Sequence, residues 1–172
     1  MDMNQIVIDA ADALNKQADL LTNIKVPVLK GYDEFPNPGT IFSAVAITDS
    51  VEQFLCDGII EDTFEEHIDK SIEQTKEAMK LSGMEVNDDT IFYLDDFQSS
   101  DFLFRVYIQD CIAEGMIVRQ FNMYFMDPKT NAFYQIALST APYPTSMEEH
   151  VKNELTDKMM NTLETLMLEV HY

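Results

Sequence analysis

Between Asp101 and Thr140 apolar and polar residues alternate along three consecutive runs, the period of strands whose two faces differ. The run Phe102 to Ile112 turns through Ala113, Glu114 and Gly115 and returns as Met116 to Met126, with glycine suiting a tight reversal. Pairing across an even-numbered loop sets Phe102, Phe104, Val106 and Ile108 beside Phe125, Met123 and Phe121, so one face is apolar. The other face carries Arg105, Tyr107, Gln109 and Cys111 against Val118, Gln120, Asn122 and Tyr124. A slip of one residue would mix the two sets, so the pattern itself argues for this register. Asp110 then falls opposite Arg119, an opposite-charge pair that reinforces it. After a turn at Asp127 to Asn131, the run Ala132 to Thr140 adds Tyr134, Ile136 and Leu138 to the apolar face. It adds Phe133, Gln135, Ala137 and Ser139 to the polar one.

Helical periods flank this sheet. Asn4 to Thr22 reads as a helix with a seam of small and medium residues at Val7, Ala11, Leu14, Ala18 and Leu21. Such a seam suits close packing, either onto its own domain or onto a second copy or another protein. Ile24 to Leu29 reads as a short strand interrupted by Pro27, Gly31 to Gly39 as loop, and Ile41 to Thr48 as a buried strand. Ser50 to Asp62 reads as an acidic connection with a helical turn at Val51 to Leu55. Thr63 with Glu66 forms a capping box that starts a helix striped by Phe64, Ile68, Ile72, Thr75 and Met79 and stopped at Gly83. Glu66 and Lys70 are spaced to pair on its wet side. Thr90 to Phe97 is a further strand. Beyond Pro142 and Pro144, Ser146 with Glu149 predicts a second capping box, opening a helix that buries Val151, Leu155, Met159, Leu163, Leu166 and Val170.

The order of elements predicts an α+β fold, an antiparallel sheet with helices packed on one face, plus an extra N-terminal helix. Residues 1–23 form a docking or oligomerisation arm in this reading, and residues 24–172 a single domain. At 172 residues and 46% hydrophobic, the chain suffices for one well-buried core.

Charge narrows the partners. With 31 acidic and 11 basic residues, the formal net charge of −20 repels nucleic-acid phosphates and anionic lipid alike, so neither nucleic acid nor membrane is an expected partner. No basic cluster precedes Ile6 to Ala13, a run interrupted by Asp9 and Asp12, so no secretory signal is expected there. No apolar stretch approaches the ~20 residues that span a bilayer. Cys56 and Cys111 show no metal-type spacing, and reduced thiols fit a cytoplasmic home.

Candidate chemistry is sparse. His67 sits among Glu65, Glu66 and Asp69, yet no second histidine stands at helical spacing, and a solvated helix face is the expected setting. His150 and His171 are expected to be exposed. Asp88-Asp89 and Asp95-Asp96 lack the alternating oxygen ligands of a calcium loop and read as surface turns. Five glycines supply no phosphate-binding loop, and Cys111 lacks an evident activating base. No catalytic residue, metal or cofactor is expected. Most of the eleven methionines read as core filling, with Met116 and Met126 pointing to the tyrosine and glutamine face by register.

Together, the Ile41 to Thr48 strand, the helix introduced by Thr63-Phe64-Glu65-Glu66, the three strands from Phe102 to Thr140 and the closing helix from Ser146 resemble the PsbP-like fold. That fold is shared by a photosystem oxygen-evolving subunit, Ran-binding Mog proteins and bacterial DcrB-type proteins. The resemblance spans roughly Ile24 to Tyr172 and lies in topology, with no diagnostic motif. The Asn4 to Thr22 helix departs from it, as does the absence of tryptophan. It implies a mostly non-catalytic binding module, a class that includes chaperones of bacterial secretion effectors. It carries over no site residue.

The expected function is therefore binding of another protein, as a secretion-effector chaperone or adaptor, or as an immunity protein that neutralises a toxin. The expected contact surface is the neutral face of Arg105, Tyr107, Gln109, Gln120, Asn122, Tyr124 and Gln135, whose side chains meet a partner without a large desolvation cost. The solvated side of an antiparallel sheet explains the same pattern without a partner. The Val7 to Leu21 seam is the second candidate, through which a homodimer could form. The alternative function is a small-ligand or enzymatic domain with a pocket between sheet and helices.

Overall fold

The computed structural model describes residues 2–7, 24–38, 40–46 and 49–172, with the backbone alone for 54–59. Among these residues eight strands form one antiparallel sheet: β1 (Asp33–Glu34), β2 (Phe42–Val45), β3 (Asp49–Ile59), β4 (Ile91–Gln98), β5 (Leu103–Ala113), β6 (Met116–Met126), β7 (Ala132–Thr140) and β8 (Tyr143–Pro144). Their spatial order is β1-β2-β3-β7-β6-β5-β4, with β8 pairing β6 beyond the end of β7. Helix α1 is Phe64–Leu81 and α2 is Glu149–Glu169. The α+β class and the antiparallel sheet agree with the sequence pattern.

The predicted hairpin register holds residue by residue, from Arg105 opposite Tyr124 to Ala113 opposite Met116. Its two-residue turn puts Glu114 at φ 54° and Gly115 at φ 75°, the left-handed pair that matches the twist of the flanking strands. Asp110 lies opposite Arg119, and the guanidinium grips its carboxylate through Nε and Nη2, each at 2.8 Å. Arg119 Nη1 also donates to Thr156 Oγ1 at 3.1 Å, tying the hairpin to α2.

The largest departure lies at residues 49–59. An acidic connection with a helical turn was expected, whereas β3 is an eleven-residue strand paired on both sides, with β2 and with β7. Gln53, only 1% exposed, occupies an inward position two residues after buried Val51, and the register breaks between Leu55 and Ile59. A glutamine at an inward position and a bulge both blur a period of two. Strand β2 is correspondingly shorter than the Ile41 to Thr48 run.

The helices take opposite faces of the sheet rather than sharing one. Helix α2 buries Met159, Leu163, Leu166 and Met167 with Phe104, Val106, Phe121, Met123, Ile136 and Leu138. Helix α1 buries Ile68, Ile72 and Met79 with Ile91, Tyr124 and Phe133 on the other side. Alternating antiparallel neighbours make β3 and β4 parallel, with β7, β6 and β5 between them. Their connection must therefore cross a face, and α1 is that crossing.

Helix α1 begins as predicted, with Glu66 N–H donating to Thr63 Oγ1 and the Glu66 carboxylate accepting from Thr63 N–H. The second box does not form. The N-cap of α2 is Glu148, with no side-chain cap bond, and Lys152 Nζ instead donates to the Thr145 carbonyl at 2.8 Å. Val151, expected inside, is exposed in the first turn of α2, whose buried residues begin only at Met159. Segment 24–29 is extended without becoming a strand, bridged only at Lys25 to His171.

At the N-terminus residues 3–7 are helical, and Val7 is exposed. Ala11, Leu14, Ala18 and Leu21 of the predicted seam lie outside the described residues. Among the described residues no helix is long and apolar enough to cross a membrane.

Candidate functional site

The face predicted to meet a partner is roofed by α1, which divides its residues. Asn122, Tyr124 and Gln109 are enclosed, at 0%, 2% and 7% exposure. Arg105, Tyr107, Gln120 and Gln135 are half-buried. The continuous neutral surface expected from the sequence is thus largely interior, because the apolar stripe of α1 needs a face and the other side is occupied by α2.

Inside, the amides satisfy one another. Asn122 Nδ2 donates to Gln109 Oε1 at 2.8 Å, Gln135 Nε2 donates to Asn122 Oδ1 at 2.9 Å, and Gln109 Nε2 donates to Cys111 Sγ at 3.4 Å. This ladder across β5, β6 and β7 explains how Asn122 and Gln109 tolerate burial. Burial pushes the Cys111 thiol up, away from the reactive thiolate, with Gln109 partly opposing it.

An aromatic series runs beside the amides from the interior to the surface. His67 and Phe64 of α1 pack on Phe133, at ring centroid distances of 4.5 and 5.9 Å. Phe133 stacks on Tyr124 at 5.7 Å, Tyr124 meets Tyr107 edge-on at 6.0 Å, and Tyr107 meets Tyr93 at 5.7 Å. Each step moves one strand outward, ending on β4, the last strand of the sheet. Tyr93 is 53% exposed.

Charged groups brace this outlet. Arg105 Nε and Nη2 donate to the two oxygens of Asp96 at 2.9 and 3.1 Å, and its guanidinium lies 5.7 Å from the Phe64 ring centroid. Hydrogen bonding to Arg105 holds the Asp96 carboxyl below its usual range. Burial raises the Tyr93 phenol, as do the charge of Asp96 and a hydrogen bond to it. Helix α1 is held over the site by Asp62, whose carboxylate accepts from Lys70 Nζ at 2.8 Å and meets His67 Nδ1 at 3.1 Å. His67 is therefore buried, not on a solvated face, and the ion pair of Lys70 is with Asp62 in place of the expected Glu66.

The sequence singled out Tyr107 and Arg105, passed over Tyr93 as a contact residue, and read Asp95-Asp96 as a surface turn, whereas both acids lie within β4 and pair with Val106 and Arg105 of β5. The signal of Tyr93 and Asp96 was position: a strand that reads Ile-Phe-Tyr-Leu-Asp-Asp becomes an edge only once β3 is known to close the opposite side. Among the described residues no group of three or more His, Cys, Asp or Glu side chains is placed to hold a metal. Asp89 belongs to a turn whose backbone donates to Asn87 Oδ1, and Asp96 belongs to the Arg105 pair. Met126 packs under α1 as its register implied, and Met116 is partly exposed at the hairpin end.

No protein-family model matches the sequence, and no curated protein matches it.

Proposed function

We propose that this chain is a non-catalytic protein-binding module, acting in the cytoplasm as a secretion-effector chaperone, an adaptor or a toxin-neutralising immunity protein. The observation that carries the reading is the aromatic outlet at β4, where an exposed Tyr93 is backed by Tyr107, Tyr124 and Phe133 and flanked by a fixed Arg105–Asp96 pair. Tyrosine and arginine held rigid by their neighbours offer contact area at little entropic cost, the property of residues that dominate interfaces. The contact surface in this reading is therefore the outer rim of the predicted face, Tyr93 with Tyr107 and Arg105. The enclosed amides hold that rim in shape.

Capture of cross-linked partners by the full chain, wild type against Tyr93→Ser, tests the assignment. Recovery should fall about tenfold or more, equivalent to roughly 1.4 kcal/mol or above for a central aromatic contact. Equal recovery would remove Tyr93 from the surface.

A second reading has one observation in its favour. Ile24, Val26, Ile41, Phe42 and Gln53 border an open depression of about 620 Å³, and Gln53 Nε2 is buried without a hydrogen-bond partner among the described residues. A small molecule with an acceptor oxygen would satisfy that nitrogen. A thermal-shift screen of metabolites should then yield a large specific shift that Gln53→Leu abolishes.

A further inference from the structure

The exposed side of β4 points to a particular kind of partner, an inference that rests on the protein-binding reading. We infer that the β4 edge accepts an extended, lysine- or arginine-bearing segment of another protein, paired along the strand, with one apolar side chain seated between Phe97 and Leu168. Strand β4 pairs only with β5 among the described residues, so its outer backbone groups form an open edge, the template for strand addition. At its C-terminal end Phe97, Gln98 and Ser99 meet Glu164, Met167 and Leu168 of α2 around a cleft of about 200 Å³. That space suits one aliphatic or aromatic side chain. Apolar groups are presented on both sides of the edge, with Phe92 38% exposed towards the α2 face and Tyr93 towards the α1 face. Leu168, 74% exposed, stands at the lip of the cleft.

Charge selects the occupant. Glu164 lines the cleft and Asp95 projects from the strand, both exposed and neither in an ion pair among the described residues. The one nearby guanidinium, Arg105, is already engaged by Asp96. A second copy of this chain is disfavoured, since antiparallel self-pairing of β4 would bring Asp95 and Asp96 against their counterparts in a protein of net charge −20. The bulge between Tyr93 and Asp95 further interrupts such a ladder. A basic strand converts the same acids into attraction.

The probe is a displayed library of random twelve-residue peptides selected on the full chain. Affinities of the selected peptides are then measured for wild type, Leu168→Ser, Glu164→Lys and Tyr93→Ser. Leu168 and Glu164 are exposed, and unchanged circular dichroism and melting would show that their variants fold. The expected result is peptides rich in lysine or arginine with one large apolar residue, binding tenfold or more weakly to Leu168→Ser and to Glu164→Lys. Slowed amide exchange along Asp95 to Gln98 in the complex should accompany binding. Peptides that lose affinity only for Tyr93→Ser would overturn this inference and leave the aromatic rim standing. Peptides indifferent to all three variants, or a selection yielding no binders, would overturn both.

Discussion

At the scale of single residues, burial decides what each polar group can do. The Asp62 carboxyl is lowered to about 2, first by its hydrogen bond from Lys70 and further by His67. Because its folded pKa lies below that of the unfolded chain, near 3.9, the stability it contributes is present at neutral pH. It is lost as pH falls through about 4 towards 2. Asp62→Asn should therefore flatten the acid limb of the stability–pH curve, measured by denaturant unfolding between pH 6 and 2; an unaltered limb would exclude Asp62 as its source. The amide ladder gives a second case. Asn122→Ala removes the donor to Gln109 Oε1 and the acceptor of the Gln135 Nε2 hydrogen bond, and should cost about 1–3 kcal/mol in the same unfolding measurement. Some of this was legible in the chain. Asp110 and Arg119 were paired by register alone, because two charges at the end of an apolar face have few other places to go. His67 was not, because its burial depends on Asp62 folding back from outside the helix and on a ring from β7, neither of which helical spacing reveals.

Among the elements, the four-strand meander from β4 to β7 and the start of α1 could be read directly, since strict alternation and a capping box are local signals. Strand β3 could not, because Gln53 faces inward and a bulge follows it. Without β3 the connection to β4 looks like a short link rather than a crossing over three strands, and both helices are naturally assigned to one face. The corrected arrangement makes a thermodynamic prediction. Ile68→Ala on α1 and Leu163→Ala on α2 remove buried side chains from separate clusters and should each cost about 2–5 kcal/mol. Having no shared partners across the sheet, they should add to within roughly 0.5 kcal/mol in the double variant, as measured by chemical denaturation. A strong coupling between them would mean that the two helices share a face after all.

Over the whole molecule, the acidic charge and the two-sided sheet act together. With both faces covered between α1 and α2, the proposed contact surface contracts from the face expected in the sequence to the edge strand where the aromatic series surfaces. In that proposal the acids along the edge discourage self-association and favour a basic partner. The position of the proposed contact surface depends on which face α1 covers. An edited nuclear Overhauser spectrum of the full chain decides it. The arrangement predicts contacts between the His67 and Phe133 rings, whose centroids lie 4.5 Å apart, and between the Ile68 and Ile72 methyls and Tyr124. Contacts from those methyls to Met159, Leu163 and Leu166 instead would put α1 beside α2, free the amide face and return the partner surface to it.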